Sequence, residues 1–304
     1  MKEILFLDRL TKKVCVEKIY GESFFKIFYG KGLISAFLRQ FALPALAGSS
    51  LFSRLYGFFQ KCSFSKRKIK PFIQKFEMDS SEFLDPVDSF KSFNDFFIRK
   101  LKPEARPIVQ GRDVAILPAD ARYLVYPNLD KVDGFLVKGQ KFSLEEFLQE
   151  DALARHYAQG SMVIARLCPT DYHRFHFPFN CLPDNPILMP GSLYSVNPLA
   201  LRKNIHIFSR NKRMMTMLHT KHFGDVLFCE VGATNVGSIH QRFTPLEPYA
   251  KGDEKGYFSF GGSSLVLLFE PGSIQFDQDL IDASVDKMEV RGLMGQSMGR
   301  ALNV

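Results

Sequence analysis

The sequence predicts an α+β fold in which N-terminal amphipathic helices precede a mostly antiparallel, β-rich core, sandwich-like or barrel-like. Three observations carry this expectation. Between residues 22 and 60 the apolar side chains Phe24, Phe25, Ile27, Phe28, Ile34, Phe37, Leu38 and Phe41 recur every three or four positions with Lys26, Lys31 and Arg39 between them, the period of a helix with one apolar face. From about Asp113 the texture changes to short runs such as ARYLVYP, GSMVIARL, DVLFCEVGA and SSLVLLF, bounded by Gly, Pro or turn residues as strands are. The charge divides at the same place: residues 1–112 carry ten more basic than acidic side chains, residues 113–304 two more acidic than basic.

At 304 residues with 46% hydrophobic and 24% charged side chains, the chain is long enough to bury one large core or two modest ones, which excludes disorder and a disulfide-stapled miniprotein. Its five cysteines are widely spaced with no Cys-x-x-Cys pair, so neither a disulfide framework nor a cysteine zinc site is indicated and a reducing compartment fits. The net charge of +8 favours an acidic partner.

Taken in order, the opening MKEILFLDRLTKK has Glu3 and Asp8 and no long apolar run, so it does not read as a secretory signal and export is not expected. Pro44 and Gly48 divide the Phe-rich stretch, whose longest uncharged run, residues 40–53, is too short to span a bilayer. A second apolar piece at residues 51–59 leads into the basic run KRKIK at residues 66–70. Aromatic faces bordered by Lys and Arg suit the headgroup layer of an anionic membrane, and the same pattern also serves helices that cover a protein core. No helix-turn-helix or RNP-type signature is present, so nucleic acid is not expected as a partner. The change of texture sets two regions, a basic helical 1–110 and a β-rich 111–304, the latter with one helix at residues 143–158.

Three segments carry reactive side chains. In ILPADARY, Asp120 stands at the mouth of a strand, where a turn-forming aspartate is also common. In CPTDYHRFHFP, His173 and His176 are three apart; such a pair can move protons, ligate a metal or sit satisfied by backbone, and no Cys or His-x-Glu partner completes a metal set, so none is expected. In KGDEKGYFSFGGSSLVLLF, Gly261 and Gly262 precede Ser263 and Ser264; glycines admit close approach of a hydroxyl to a carbonyl, and they also make bulges and turns.

In this order, FNDFFIRKLKPEARP (93–107), PAD (118–120), DYHRFHFP (171–178), SVNP (195–198), VGATNVGSI (231–239) and KGDEKGYFSFGGSS (251–264) resemble the phosphatidylserine decarboxylase family over most of the chain from about residue 50. The resemblance implies a membrane-associated proenzyme that cuts itself between Gly262 and Ser263. Ser263 becomes a covalent pyruvoyl group, the pyruvate cofactor, which forms a Schiff base with phosphatidylserine and releases CO2 to give phosphatidylethanolamine. It further implies His176 as the base of self-cleavage, Asp120 as its orienter and His173 as a group acting in decarboxylation. The partners implied are an anionic membrane carrying phosphatidylserine and the two cleavage chains as a heterodimer, with homo-oligomerisation open. The place implied is the cytoplasmic side of the cell membrane, peripherally.

Two positions depart from the family pattern: Ser264 stands where threonine is usual, and Ala121 stands where glycine commonly follows the aspartate. If position 121 requires a positive φ, Asp120 is displaced and maturation slowed. Two other readings remain open from the residues: a serine hydrolase using Ser263, His176 and Asp120 without self-cleavage, and a basic binding protein on the same scaffold.

Overall fold

The computed structural model describes residues 4–18, 57–130, 143–194, 196, 201, 206–233, 238–260 and 263–302. Phe24, Phe25, Ile27, Phe28, Ile34, Phe37, Leu38 and Phe41 lie outside the described residues, as do Ser195, Gly261 and Gly262.

In chain order the elements are β1 (Leu5–Asp8), β2 (Lys13–Val16), α1 (Ile69–Phe76), α2 (Phe93–Phe97), β3 (Val114–Ile116), β4 (Ala121–Tyr126), α3 (Leu144–Leu148) and α4 (Asp151–Tyr157). There follow β5 (Ser161–Leu167), β6 (Arg174–His176), β7 (Leu182–Pro183), β8 (Ile187–Met189), α5 (Ile207–Arg210), β9 (Arg213–His219), β10 (Asp225–Gly232), β11 (Ile239–Gln241) and β12 (Glu254–Phe258). The chain closes with β13 (Ser263–Phe269), β14 (Ile274–Phe276), α6 (Gln278–Val285), β15 (Glu289–Gly292) and β16 (Ser297–Ala301).

Ten strands form one open sheet in the order β2-β1-β15-β4-β5-β13-β10-β9-β7, with β8 also on β9. Every pairing in it is antiparallel except β1 on β15. Two three-stranded sheets, β11-β12-β6 and β14-β16-β3, complete a mixed α/β fold rich in antiparallel strands. Side chains alternate across a strand. Leu265, Leu267 and Phe269 of β13 therefore enter a core shared with Phe175, Phe258, Phe276 and Met298 of the small sheets. Val266 and Leu268 enter a second core with Phe147, Tyr157 and Phe208 of the helices. A third cluster, of phenylalanines from α1, α2 and their loops, packs against Phe260.

The structure departs from the sequence reading in two places. Leu5–Asp8 and Lys13–Val16 are strands, although the reading placed none so early; their four-residue length and the charged LDRLTKK turn hide the alternation. The single helix expected at residues 143–158 is two, because Gln149 takes a left-handed conformation (φ 55°) that ends α3.

Between β12 and β10, Lys255 and Glu230 form a fully buried ion pair at 2.5 Å. Lys255 also donates to Thr216 Oγ1 and Gln241 Oε1 and lies against the rings of Phe228 and Phe243. Removing one partner strands a charge in the core. Lys255→Met is expected to lower stability by about 3–5 kcal/mol, and Lys255→Met combined with Glu230→Leu to recover most of it. Urea unfolding of the three chains checks this, and an equal loss in single and double variants would contradict it.

Candidate active site

Ser263 opens β13, the strand held between β5 and β10, with Leu167 and Gly232 as its cross-strand partners. It lies on the same face as Leu265 and Leu267, toward the small sheets, whereas Ser264 faces the helical side. Ser263 is fully buried, and its Oγ, like that of Ser264 on the opposite face, has no hydrogen-bond partner among the described residues. A buried hydroxyl left unsatisfied marks a place where a reacting group belongs.

His173 lies beside the same end of β5. Its Nε2–H donates to the carbonyl of Cys168, the residue after Leu167, at 3.0 Å, and its ring stacks on Phe97 with centroids 3.8 Å apart. A carbonyl only accepts, so this bond fixes the proton on Nε2 and leaves the Nδ1 lone pair free; Nδ1 has no partner among the described residues. Burial, aided by the nearby Arg99 cation, pushes the imidazole pKa down to about 3, so the ring is neutral at neutral pH.

His176 ends β6. Its backbone N–H donates to the Pro118 carbonyl at 2.8 Å, which ties the histidine segment to the PAD turn. Its Nδ1–H donates to the Gly252 carbonyl at 2.9 Å, leaving Nε2 to accept from the Tyr172 hydroxyl at 3.2 Å. Burial holds its pKa below the ordinary value, while Glu254 and Asp120 favour the cation. Gly252 has a φ of +91°, and a Cβ there would collide with Ile108, so only glycine presents this carbonyl.

Asp120 is buried, and both its oxygens are taken. Arg106 Nε donates to Oδ1 and Oδ2 at 2.9 and 3.0 Å, Arg106 Nη2 to Oδ2 at 2.7 Å, and the Met294 N–H to Oδ1 at 2.9 Å. The same Arg106 Nη2 also donates to Glu82 at 3.0 Å. No hydrogen bond joins Asp120 to His176 among the described residues; the carboxylate acts on the ring through its field. Ala121 begins β4 without a positive φ, and Asp120 beside it keeps its bonds to Arg106 and the Met294 amide.

The structure thus brings Asp120, His173, His176 and Ser263 from three segments to one end of the central sheet. Sequence reading missed Arg106, Tyr172, Gly252 and Met294 as their immediate partners. Arg106 lay in plain view within LKPEARP, but nothing local marks an arginine whose carboxylate is 14 positions away. No group of three or more His, Cys, Asp or Glu positioned to hold a metal occurs among the described residues.

The sequence profile of the phosphatidylserine decarboxylase family matches residues 93–300. The chain belongs to this family. It is 50% identical over 304 residues to the phosphatidylserine decarboxylase proenzyme of Chlamydia pneumoniae, covering 99% of this chain and 98% of that one. It is 47% identical over 303 residues to the proenzyme of the same name from Chlamydia muridarum, covering 98% of each chain. With that of Chlamydia felis it shares 45% identity over 302 residues and 99% of each chain. All the segments that carry reactive side chains fall within the matched range.

The buried neutral histidine has a consequence for stability. An unfolded His173 takes up a proton near pH 6.5 and the folded one only near pH 3, so its contribution is intact above pH 6.5 and is lost as pH falls toward 3. The slope is at most about 1.4 kcal/mol per pH unit for one such group. Urea midpoints measured from pH 7 to pH 5 are expected to fall, and to fall less steeply in His173→Asn; parallel slopes would mean that the folded ring takes the proton.

Proposed function

We propose that this chain is a proenzyme that cuts itself between Gly262 and Ser263 and then decarboxylates phosphatidylserine to phosphatidylethanolamine. Membership of the family supports the activity, and the buried, unpartnered Ser263 Oγ at the start of β13 is the observation that carries the self-cleavage.

In this reading Ser263 Oγ attacks the Gly262 carbonyl and the peptide becomes an ester. Elimination across Cα–Cβ of residue 263 frees the Gly262 carboxylate, and water then replaces the α-nitrogen, which leaves as ammonia, to give a pyruvoyl end. A hydroxyl needs a base to attack. His176, whose Nε2 lone pair faces the Tyr172 hydroxyl, is that base, held in this tautomer by the Gly252 carbonyl and favoured as the cation by Asp120. The surroundings fit a pyruvoyl group at 263: the position is enclosed, and the His173 Nδ1 lone pair is left open nearby. Such a group supplies a carbonyl for the substrate amine and an electron sink for the pair left behind by CO2. His173, neutral and fixed by Cys168 and Phe97, exchanges a proton with the substrate at Nδ1.

The cut chains stay together as a heterodimer. β13 remains laddered to β5 and β10, β15 to β1 and β4, and β16 to β3, all across the break. Among the described residues no helix is long and apolar enough to cross a membrane. Phe58, Phe59 and Phe64 are nonetheless 63%, 50% and 53% exposed beside Lys61, Lys66, Arg67 and Lys68, which supports peripheral attachment to an anionic surface on the cytoplasmic side.

Denaturing intact-mass measurement tests the cleavage: the wild-type chain should yield the 42-residue piece Ser263–Val304, of about 4.6 kDa, and Ser263→Ala a single uncut chain without activity. Two chains from Ser263→Ala would refute the site. His176→Ala and Asp120→Asn are expected to slow cutting, whereas His173→Ala cuts and turns over poorly; cutting blocked by His173→Ala would exchange the two roles. Serine side chains in place of Phe58, Phe59 and Phe64 should reduce binding to phosphatidylserine vesicles, and unchanged sedimentation with vesicles would remove this patch from the membrane contact.

A further inference from the structure

Arg99 follows α2 and is buried, its guanidinium carbon 5.0 and 5.1 Å from the ring centroids of Phe83 and Phe96. Its Nη2 donates to the carbonyls of Thr170 at 3.0 Å and Asp171 at 3.2 Å, in the loop that leads into His173. Nε and Nη1 have no hydrogen-bond partner among the described residues.

Most other buried arginines are provided for, although Arg122, whose Nη1 meets Asp171 at 3.4 Å, also has an Nε without a hydrogen-bond partner among the described residues. Arg106 has Asp120 at 2.7 Å, Arg166 has Glu17 at 2.6 Å, and Arg174 has Glu254 at 2.6 Å. Arg213 lacks a carboxylate, but its Nε, Nη1 and Nη2 all donate to backbone carbonyls, of Phe147, Ser209, Asn211 and Glu146. Arg99 has neither arrangement. Burial lowers its pKa only to about 10, so it stays a cation at neutral pH. The carboxylates of Asp120 and Asp171 favour the cation through their field without bonding it, and buried donors left unpaired are costly unless a ligand completes them.

The orphaned donors are not isolated. His173 Nδ1 and Ser263 Oγ are unpartnered too, and the Arg99 charge is close enough to His173 to depress its basicity. Ser264 Oγ and Arg122 Nε lack hydrogen-bond partners among the described residues as well, and of these groups Arg99, His173 and Ser263 are the ones that a polar ligand reaching the reacting serine would meet.

We propose that Arg99 receives the phosphodiester of the substrate, its Nε–H and Nη1–H donating to the non-bridging oxygens while Nη2 stays on the Thr170 and Asp171 carbonyls. This rests on the reading of the chain as a phosphatidylserine decarboxylase and adds to it the residue that selects the phosphorylated headgroup. The phosphodiester is the fitting anion of the two that phosphatidylserine carries. A guanidinium bound to the carboxylate would be strongest in the ground state and weakest as CO2 forms, opposing the reaction. The phosphodiester keeps its charge throughout, so Arg99 binds substrate and transition state alike and acts on KM.

The test compares Arg99→Gln and Arg99→Lys with the wild-type chain, using soluble dihexanoyl phosphatidylserine as substrate and dihexanoyl phosphatidylethanolamine, which has the phosphodiester and no carboxylate, as competing product. KM for the substrate and Ki for the product are both expected to rise at least tenfold in Arg99→Gln, with a smaller change in kcat. A raised KM with an unchanged Ki would assign Arg99 to the carboxylate. An unchanged KM with a fallen kcat would make it only a clamp on the Thr170–Asp171 loop, and either result overturns the proposal. If Arg99→Gln does not mature, Arg99→Lys carries the same pair of constants, since it keeps the charge and loses the planar array of donors. Wild-type turnover is the control: its absence refutes the decarboxylase reading, whereas a wild type that turns over beside variants with unchanged constants refutes this proposal alone.

Discussion

The hydrogen-bond ladder on both sides of β13 is the constraint from which the arrangement of the reacting groups follows. Six residues, 263–268, are paired with β5 on one side and β10 on the other, and the first of them is Ser263. The ladder sets which face the hydroxyl occupies and keeps the strand in place whether or not the bond before it is intact. Position 262 joins the ladder's first residue, so a break there costs the sheet none of the pairs that hold β13. For the self-cleavage proposed above, a serine on a central strand has little freedom to be misplaced, which is the condition for an intramolecular attack to profit from proximity.

Around that strand, charge and proton positions are set by backbone carbonyls as much as by side chains. Cys168 and Gly252 each fix the tautomer of one histidine, and each lies where the chain has little choice: Cys168 directly after β5, Gly252 in a turn that only glycine fits. Asp120 is bound instead to Arg106 and to the Met294 amide, so a single carboxylate joins the segment after α2, the PAD turn and the C-terminal piece. The two histidines share a motif and differ in surroundings. His173 is enclosed by an aromatic ring and a cation, and His176 lies near Asp120 and Glu254, which divides proton affinity between residues three positions apart.

Much of this was legible in the sequence, for physical reasons. The antiparallel core announced itself through short apolar runs between turn residues, and Asp120, His173, His176 and Ser263 each stood in a segment with an unusual neighbour: a proline, a second histidine or a glycine pair. What was not legible depends on distant partners. Arg99 and Arg106 are ordinary cations in a basic stretch until Thr170, Asp171 and Asp120 are brought to them. The break at Gln149 could not be read because its left-handed turn uses neither glycine nor asparagine. The concern over Ala121 came from reading a glycine requirement into a position whose backbone is extended in a strand.

The parallel pairing of β1 with β15 has a bearing on when the chain is able to act on itself. Phe6 lies opposite Glu289 and Asp8 opposite Arg291, so the first strand to leave the ribosome finds its neighbour only after nearly all the rest has been made. β13 is likewise a late strand, filling a gap between β5 and β10 that stays open until then. Contacts of such long sequence separation form last and slowly. Assembly of the sheet is therefore a clock: a nascent or truncated chain lacks the strand that carries the serine, and the chemistry waits for a finished fold.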